Sequence, residues 1–138
     1  MKKILLAGLA LAATCVLVSA PAAQANGDRN GRCENGDLCL RYNSNNAGPW
    51  MDYWTQDMSH HDDKFFSSYD ANGNAVKSNI TVGNNAAWAK NHTSPGGYYA
   101  RICYNSNLGG DCWNLAPGAS ANLPSWLKNN NASNTWVN

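Results

Sequence analysis

The chain has 138 residues, of which 14% are charged, and its formal net charge at pH 7 is +1. Such a chain has neither the basic stripe that nucleic acid requires nor the acidic run of a solvating tail. We therefore expect no nucleic-acid partner.

A predicted signal peptide opens the chain. Lys2 and Lys3 precede an apolar run from Ile4 to Ala20, which is followed by the sequence Ala23-Gln24-Ala25. A basic start, an apolar middle and a small-x-small cleavage site are typical of secretory signals. A membrane anchor needs roughly 20 uninterrupted apolar residues, which is more than this run provides. We expect residues 1–25 to be removed.

Removal of this segment leaves residues 26–138, the length of one ordinary domain. A lipoprotein is the alternative, but Ala12-Ala13-Thr14 before Cys15 is a poor match to a lipidation site. The remaining domain has eight basic and nine acidic side chains, and hence a net charge of −1. We expect a secreted, extracellular monomer that has no membrane contact after cleavage.

The domain keeps four cysteines, Cys33, Cys39, Cys103 and Cys112. An even number in an exported chain is typical of disulfides, although four cysteines allow three pairings and sequence alone does not choose among them. We favour Cys33–Cys39 and Cys103–Cys112, because each pair closes a loop small enough to be the turn of a hairpin. Zinc is the alternative, but neither spacing is the two-to-four-residue gap of a zinc knuckle.

Short strands and many turns are predicted along the domain, because Gly, Asn, Ser and Asp recur every several residues and no long helical periodicity is present. Helical turns are predicted only around Met58 to Phe66 and at Ser125 to Asn129. All six Trp residues lie in this domain, and we expect them to form much of the core. The predicted strands are Leu38 to Tyr42, Trp50 to Trp54, Ile80 to Val82, Ala86 to Lys90, Tyr98 to Tyr104, Trp113 to Leu115 and Thr135 to Val137.

An internal repeat organises these elements. Tyr42-Asn43-Ser44-Asn45-Asn46-Ala47-Gly48 recurs as Tyr104-Asn105-Ser106-Asn107-Leu108-Gly109-Gly110, and Asn84-Asn85-Ala86-Ala87 is paired with Asn130-Asn131-Ala132-Ser133. Asn tolerates left-handed backbone and Gly permits positive φ, so each heptad predicts a hairpin. We expect two related β-motifs, at about 33–92 and 98–138, packed on one core as a pseudo-symmetric sandwich or barrel.

Four motifs point to a known family. They are Cys33-Glu34-Asn35-Gly36-Asp37-Leu38-Cys39-Leu40, the Tyr-Asn-Ser-Asn hairpin, the Asn-Asn-Ala segment and Leu115-Ala116-Pro117-Gly118-Ala119. In these motifs the chain resembles the secreted bacterial peptidase inhibitor family thirty-six, the metalloproteinase-inhibitor type. The resemblance implies an all-β, βγ-crystallin-like fold of two Greek-key motifs, each of four strands, with two local disulfides.

The same resemblance implies a function. It predicts an inhibitor of extracellular metallopeptidases that acts through a loop braced by a disulfide in the second half of the domain. The corresponding loop lies between Cys103 and Cys112, and it does not match the reactive sequence of the characterised inhibitor, so no scissile bond is assigned. Its residues are Tyr104, Asn105, Ser106, Asn107, Leu108, Gly109, Gly110 and Asp111.

Calcium is the first cofactor to consider, because crystallin-like motifs often bind it through paired Asn or Asp residues followed by Ser or Thr. Asn129, Asn130 and Ser133 fit that spacing, whereas Trp88 replaces the hydroxyl in the first copy. These segments offer only neutral amides, while Ca²⁺ usually takes carboxylate ligands. We expect no cofactor, or at most weak calcium binding.

No catalytic residue is predicted. His60-His61-Asp62-Asp63 is the one dense titratable cluster, but it lacks the HExxH spacing of a metallopeptidase. We expect it to be a solvated loop that starts a helical turn near Asp62. No G-x-S-x-G motif is present, and the cysteines are expected to be oxidised, so we do not expect an enzyme.

An alternative function is a non-inhibitory crystallin-like binding or antimicrobial module that contacts glycans or cell envelopes. Exposed Trp and Tyr side chains would stack on sugars. This alternative gains if Trp50, Trp54 and Trp113 line one open face, and it loses its basis if they are buried.

Overall fold

The computed structural model describes residues 28–138, so the predicted signal peptide and Cys15 lie outside the described residues. Within that range the chain forms nine strands, and none of the described residues forms a helix that could span a membrane. The strands are β1 (Leu38–Asn43), β2 (Ala47–Tyr53), β3 (Lys64–Tyr69), β4 (Ala75–Thr81), β5 (Trp88–Asn91), β6 (Tyr99–Asn105), β7 (Gly109–Leu115), β8 (Ser120–Asn122) and β9 (Ser133–Val137).

The strands form two antiparallel sheets. The larger sheet has the order β4-β3-β2-β1-β5-β8, and the smaller has the order β7-β6-β9. In each half of the domain the first strand lies between its hairpin partner and the last strand of that half. Thus β1 lies between β2 and β5, and β6 lies between β7 and β9. The return of the last strand to the side of the first is the Greek-key connection.

Each half also contributes one segment to the sheet of the other half. Strand β8, from the second half, pairs with β5 in the larger sheet. In return, Asp57 forms a two-way backbone bridge with Asn134 of β9, with N–H···O distances of 2.9 and 2.8 Å. Because of this exchange, neither sheet is complete without segments from both halves.

The repeated heptads fold into matching hairpins, as predicted. The turn residues 45–46 and 107–108 all have φ between 57° and 59°. Gly48 and Gly110 follow with φ of 77° and 70°, next to a register shift in each hairpin. A glycine with left-handed backbone at such a shift is the G1 type of β-bulge. The same local chemistry therefore produces the same bulged hairpin twice.

Strands β3 and β4 form a hairpin that has no counterpart in the second half of the described chain. It joins the larger sheet beside β2, where Trp50 pairs with Phe66. This insertion was not predicted, apart from residues 80–81 at the end of β4, and strand β8 was not predicted either. The β3–β4 hairpin makes β2 an internal strand, while β7 stays at the edge of its sheet.

The predicted helical turn around Met58 to Phe66 is wrong. The backbone N–H groups of Asp57 and His60 donate to Asn134 and Ala132, more than 70 residues along the chain, and β3 begins at Lys64. Long-range partners therefore replace the local ones that a helical turn would use. At Ser125 to Asn129 the predicted turn is present, because Lys128 N donates to Pro124 O at 2.8 Å.

The core combines residues of both sheets, and its tryptophan content is lower than predicted. Only Trp88 is buried, whereas Trp54 and Trp126 are 43% and 42% exposed. Trp is so large that it is rarely buried completely. The residues of the buried cluster are Leu38, Leu40, Met51, Tyr53, Phe65, Phe66, Val82, Ala86, Ala89, Ala100, Ile102, Leu115, Leu123 and Leu127.

A strap of residues 28–33 crosses the face of β2 that points away from Met51 and Tyr53. The buried carboxylate of Asp52 accepts hydrogen bonds from the strap, one from Asn30 N at 2.8 Å and one from Gly31 N at 2.7 Å. Burial raises the pKa of Asp52 to about 7 in spite of these donors.

The carbonyl oxygen of Gly31 also binds the larger sheet. That oxygen accepts from Trp50 Nε1 at 2.7 Å and from the Tyr69 hydroxyl at 2.6 Å. The strap therefore covers the aromatic cluster in which Trp50 contacts Phe66 and Tyr69, with ring centroids 6.2 and 5.2 Å apart.

The strap supplies a prediction for stability. Gly31 and Gly73 have nearly the same backbone, with φ of 80° and 79°, but a Cβ at Gly31 would overlap Ala75 while one at Gly73 would meet nothing within 4 Å. An alanine at either φ costs roughly 1 kcal/mol. We expect Gly31→Ala to lower the free energy of unfolding by about 1–3 kcal/mol more than Gly73→Ala, because of overpacking. Urea denaturation of both variants measures this, and equal losses would contradict the packing of the strap.

Candidate functional site

The predicted inhibitory loop is the hairpin of β6 and β7. Residues 104–105 end β6, residues 106–108 form the turn and residues 109–111 begin β7. Cys103 and Cys112 are directly opposite each other in the register, and their disulfide joins the two strands with a Cα separation of 4.1 Å. Both predicted pairings are confirmed, since the second disulfide joins Cys33 to Cys39, the second residue of β1.

The turn of this hairpin is attached to the body of the domain. Asn107 N donates to Met58 O at 2.8 Å, and Leu108 N donates to the Ser133 hydroxyl at 3.1 Å. That hydroxyl in turn donates to Asn105 O at 2.6 Å. The hairpin therefore has a fixed position, while the side chains of Tyr104 and Asn107 remain exposed.

The first-half hairpin has the same backbone but different surroundings. Asn45 N donates to the Asn122 side chain at 2.7 Å, and the Asn122 amide donates back to Asn45 Oδ1 at 3.0 Å. Tyr42 packs against the core and meets the edge of Phe65, whereas its counterpart Tyr104 is 43% exposed. The two copies therefore differ in the aromatic surface that they present.

The calcium candidates do not form a good set of ligands. Asn130 Nδ2 donates to the carbonyl oxygens of Trp126 and Lys128, and the Ser133 hydroxyl is used by the β6–β7 hairpin. Asn129 lines a cavity of about 340 Å³ together with Lys128 and only uncharged residues. Ca²⁺ favours carboxylate oxygens, and a lysine beside the site opposes it, so these residues fit calcium poorly.

The cluster at His60-His61-Asp62-Asp63 is not the solvated loop that was predicted. His61 and Asp62 are exposed, but His60 is completely buried and Asp63 is 7% exposed. The ring of His60 stacks on Tyr53, with centroids 4.9 Å apart. Tertiary contacts that the local sequence does not reveal therefore place half of this cluster inside the domain.

The hydrogen bonds of His60 determine its protonation. Asn131 Nδ2 lies 2.9 Å from Nδ1, and Asn134 Oδ1 lies 2.8 Å from Nε2. An amide nitrogen only donates and an amide oxygen only accepts, so these partners select the neutral ring with its proton on Nε2. Burial lowers the pKa of His60 to about 4.

Three carboxylates around Arg29 serve a structural role. Arg29 of the strap binds Asp57 at 2.6 Å and Asp63 at 3.3 Å, and it binds Asp28 at 2.9 Å. The Tyr53 hydroxyl donates to Asp63 at 3.1 Å, and burial raises the pKa of Asp57 to about 6. Asp57 and Asp63 fix one end of the strap to the segment that carries His60, while Asp28 pairs with Arg29 within the strap itself.

The tryptophans named in the glycan alternative do not share one open face. Trp50 and Trp113 are partly buried against the core, and only Trp54 is largely exposed. Trp54 instead lines a cleft with Tyr98 and Trp136. No local motif in the sequence predicts this cleft, because its residues lie far apart in the chain.

Two Greek keys that exchange one segment each give this chain a βγ-crystallin-like fold with two local disulfides, as predicted. Comparison with solved structures finds the same fold in a structure reported under the words "Evolution of the eye lens beta-gamma-crystallin domain fold". The TM-score is 0.56 at 13% sequence identity, with 82% of this chain and 92% of that chain covered. No protein-family model and no curated protein matches the chain.

The buried imidazole supplies a prediction about pH. The pKa of His60 is about 4 in the native state and near 6.5 in the unfolded chain, so between these values the unfolded chain binds more protons. The contribution of His60 to stability is therefore lost as the pH falls from about 7 to 4. Relative to His60→Gln, we expect the wild-type protein to lose at most on the order of 3 kcal/mol over this range.

Urea denaturation of both proteins at several pH values measures the difference. The comparison is needed because Asp52, whose raised pKa acts in the opposite direction, contributes to the profile of each protein and cancels between them. The stability of the wild type relative to His60→Gln should fall with the pH. If it stays constant or rises as the pH falls, the neutral, doubly bonded imidazole is contradicted.

Proposed function

We propose that this protein is a secreted inhibitor of extracellular peptidases, of the metallopeptidase class, and has no enzymatic activity of its own. The observation that carries the proposal is the Cys103–Cys112 disulfide across an exposed hairpin. The family resemblance of the sequence motifs supplies the class of target. Two disulfides also suit the oxidising environment that export provides.

The braced hairpin suits tight binding because it is ordered before it meets a partner. The disulfide joins its strands, and Asn107 N and Leu108 N attach its turn to the body. A preorganised loop loses less conformational freedom on binding, which favours affinity. The same constraint opposes the local unfolding that a peptidase needs to cleave a bound segment.

The position of β7 distinguishes the second hairpin from the first. Strand β7 is at the edge of its sheet, with β6 as its neighbour, whereas β2 is covered by β3. An edge strand can pair with an extended segment of a partner through its main-chain groups. Tyr104 is 43% exposed beside this edge, and Tyr is frequent among the residues that dominate binding energy at interfaces.

Inhibition assays test the proposal directly. The mature protein is titrated against a thermolysin-type metallopeptidase, a serine peptidase and a cysteine peptidase, and we expect inhibition of the metallopeptidase. We expect Tyr104→Ala to raise the inhibition constant about tenfold or more, since it removes the exposed aromatic of the hairpin.

Tyr99→Ala is the matched control. Tyr99 lies on the same strand with almost the same exposure, 42% against 43%, but at the end away from the hairpin. We expect this variant to inhibit as well as the wild type. If the wild type inhibits none of the three classes at micromolar excess, the proposal fails. If both Tyr variants weaken inhibition equally, the hairpin is not the binding edge.

A further inference from the structure

An aromatic cleft lies at the junction of the two halves. Trp54 directly follows β2, Trp136 is on β9, and Tyr98 directly precedes β6. Gly36 and Thr93 complete the lining of a cleft of about 340 Å³, a volume within the usual range of small-molecule sites. Trp54 and Tyr98 are 43% and 55% exposed, so two large aromatic side chains are accessible in one place.

Specific contacts hold the two tryptophans and the backbone of Tyr98 in position. A Cβ at Gly36 would overlap the ring of Trp54, so only glycine allows that ring to lie against the backbone there. The Trp136 indole N–H donates to Trp54 O at 3.0 Å. The backbone carbonyl oxygen of Tyr98 accepts from Asn91 Nδ2 at 2.9 Å. The cleft is therefore formed before any ligand arrives, which lowers the ordering cost of binding.

The chemistry of the lining limits the ligand. None of the five lining residues carries a charge, so the cleft offers no ion pair to an anion. The carboxylate of Asp28 accepts the backbone N–H of Trp54 at 2.9 Å, but it already binds Arg29 at 2.9 Å and is therefore not available as a counter-ion for a bound cation.

The side-chain donors of the lining form two groups. The Trp136 N–H donates to Trp54 O, and the Thr93 hydroxyl donates to Asn91 Oδ1 at 2.7 Å. The Trp54 indole N–H and the Tyr98 hydroxyl have no such partner within the described residues, and both belong to the lining together with the flat faces of the rings. This combination suits a neutral ligand that has a flat apolar face and hydroxyl groups around it.

We propose that the cleft of Trp54, Tyr98 and Trp136 is a binding site for a neutral pyranose glycan. The apolar C–H face of a sugar ring would stack on the exposed rings of Trp54 and Tyr98. The cleft and the β6–β7 hairpin lie at opposite ends of β6, about 20 Å apart at roughly 3.3 Å per residue. Glycan binding therefore leaves the hairpin free and does not rest on the proposed inhibitory function.

Titration with defined sugars tests the site. Tryptophan fluorescence of the mature protein is followed with cellotetraose, chitotetraose and laminaritetraose, and we expect at least one of them to bind. We expect Trp54→Ala and Tyr98→Ala each to weaken that binding by about tenfold or more, since each removes one stacked ring. Tyr98→Phe keeps the ring and should bind within about threefold of the wild type, which is about half of a tenfold step in free energy.

Trp126→Ala is the control, because Trp126 is 42% exposed but lies outside the cleft. It should leave sugar binding unchanged, and near-ultraviolet circular dichroism verifies that each variant is folded. The proposal is overturned if no tetrasaccharide binds at millimolar concentration, or if Trp54→Ala and Tyr98→Ala bind as the wild type does. Binding of choline or of a polyproline peptide in place of every sugar would overturn it in favour of that class of ligand.

Discussion

The buried amide of Asn131 is the interaction on which the rest of the structure depends. Its oxygen accepts Ala86 N at 2.9 Å, and its nitrogen donates to Val82 O at 3.1 Å and to the His60 ring at 2.9 Å. All three partners belong to the first half of the domain, while Asn131 belongs to the second. A buried polar group without a partner costs about 1–3 kcal/mol, so separating the halves would leave several such groups unsatisfied.

This junction also positions the two hairpins. Each turn is supported by the segment that the opposite half contributes across the junction: the first turn by Asn122 of β8, and the second by the carbonyl of Met58, next to the bridge at Asp57. The exchange of segments is therefore more than a route to a closed core. It fixes the orientation of both loops relative to the body.

The repeated heptads form two matching hairpins, but the surroundings of the two hairpins differ. The β3–β4 insertion covers β2 and leaves β7 as an edge, and the second hairpin alone has a disulfide between its strands. Tyr42 contributes to the core, but Tyr104 is exposed. One copy has thus kept a structural role while the other combines rigidity with an accessible aromatic edge. The aromatic cleft at the far end of β6 adds a second surface that is independent of the first.

The sequence by itself determined the features that depend on neighbouring residues. Asn and Gly at positive φ specify the bulged hairpins, and the short cysteine spacings favour the two disulfides that form. The repeat and the resemblance predicted the fold class. Only the tertiary structure decided the burial of His60, the pairing of the segment at Asp57 with β9, the added strands and the cleft around Trp54. Each of these rests on partners tens of residues away, and no local pattern reports which distant group will satisfy a buried donor or cover an aromatic ring.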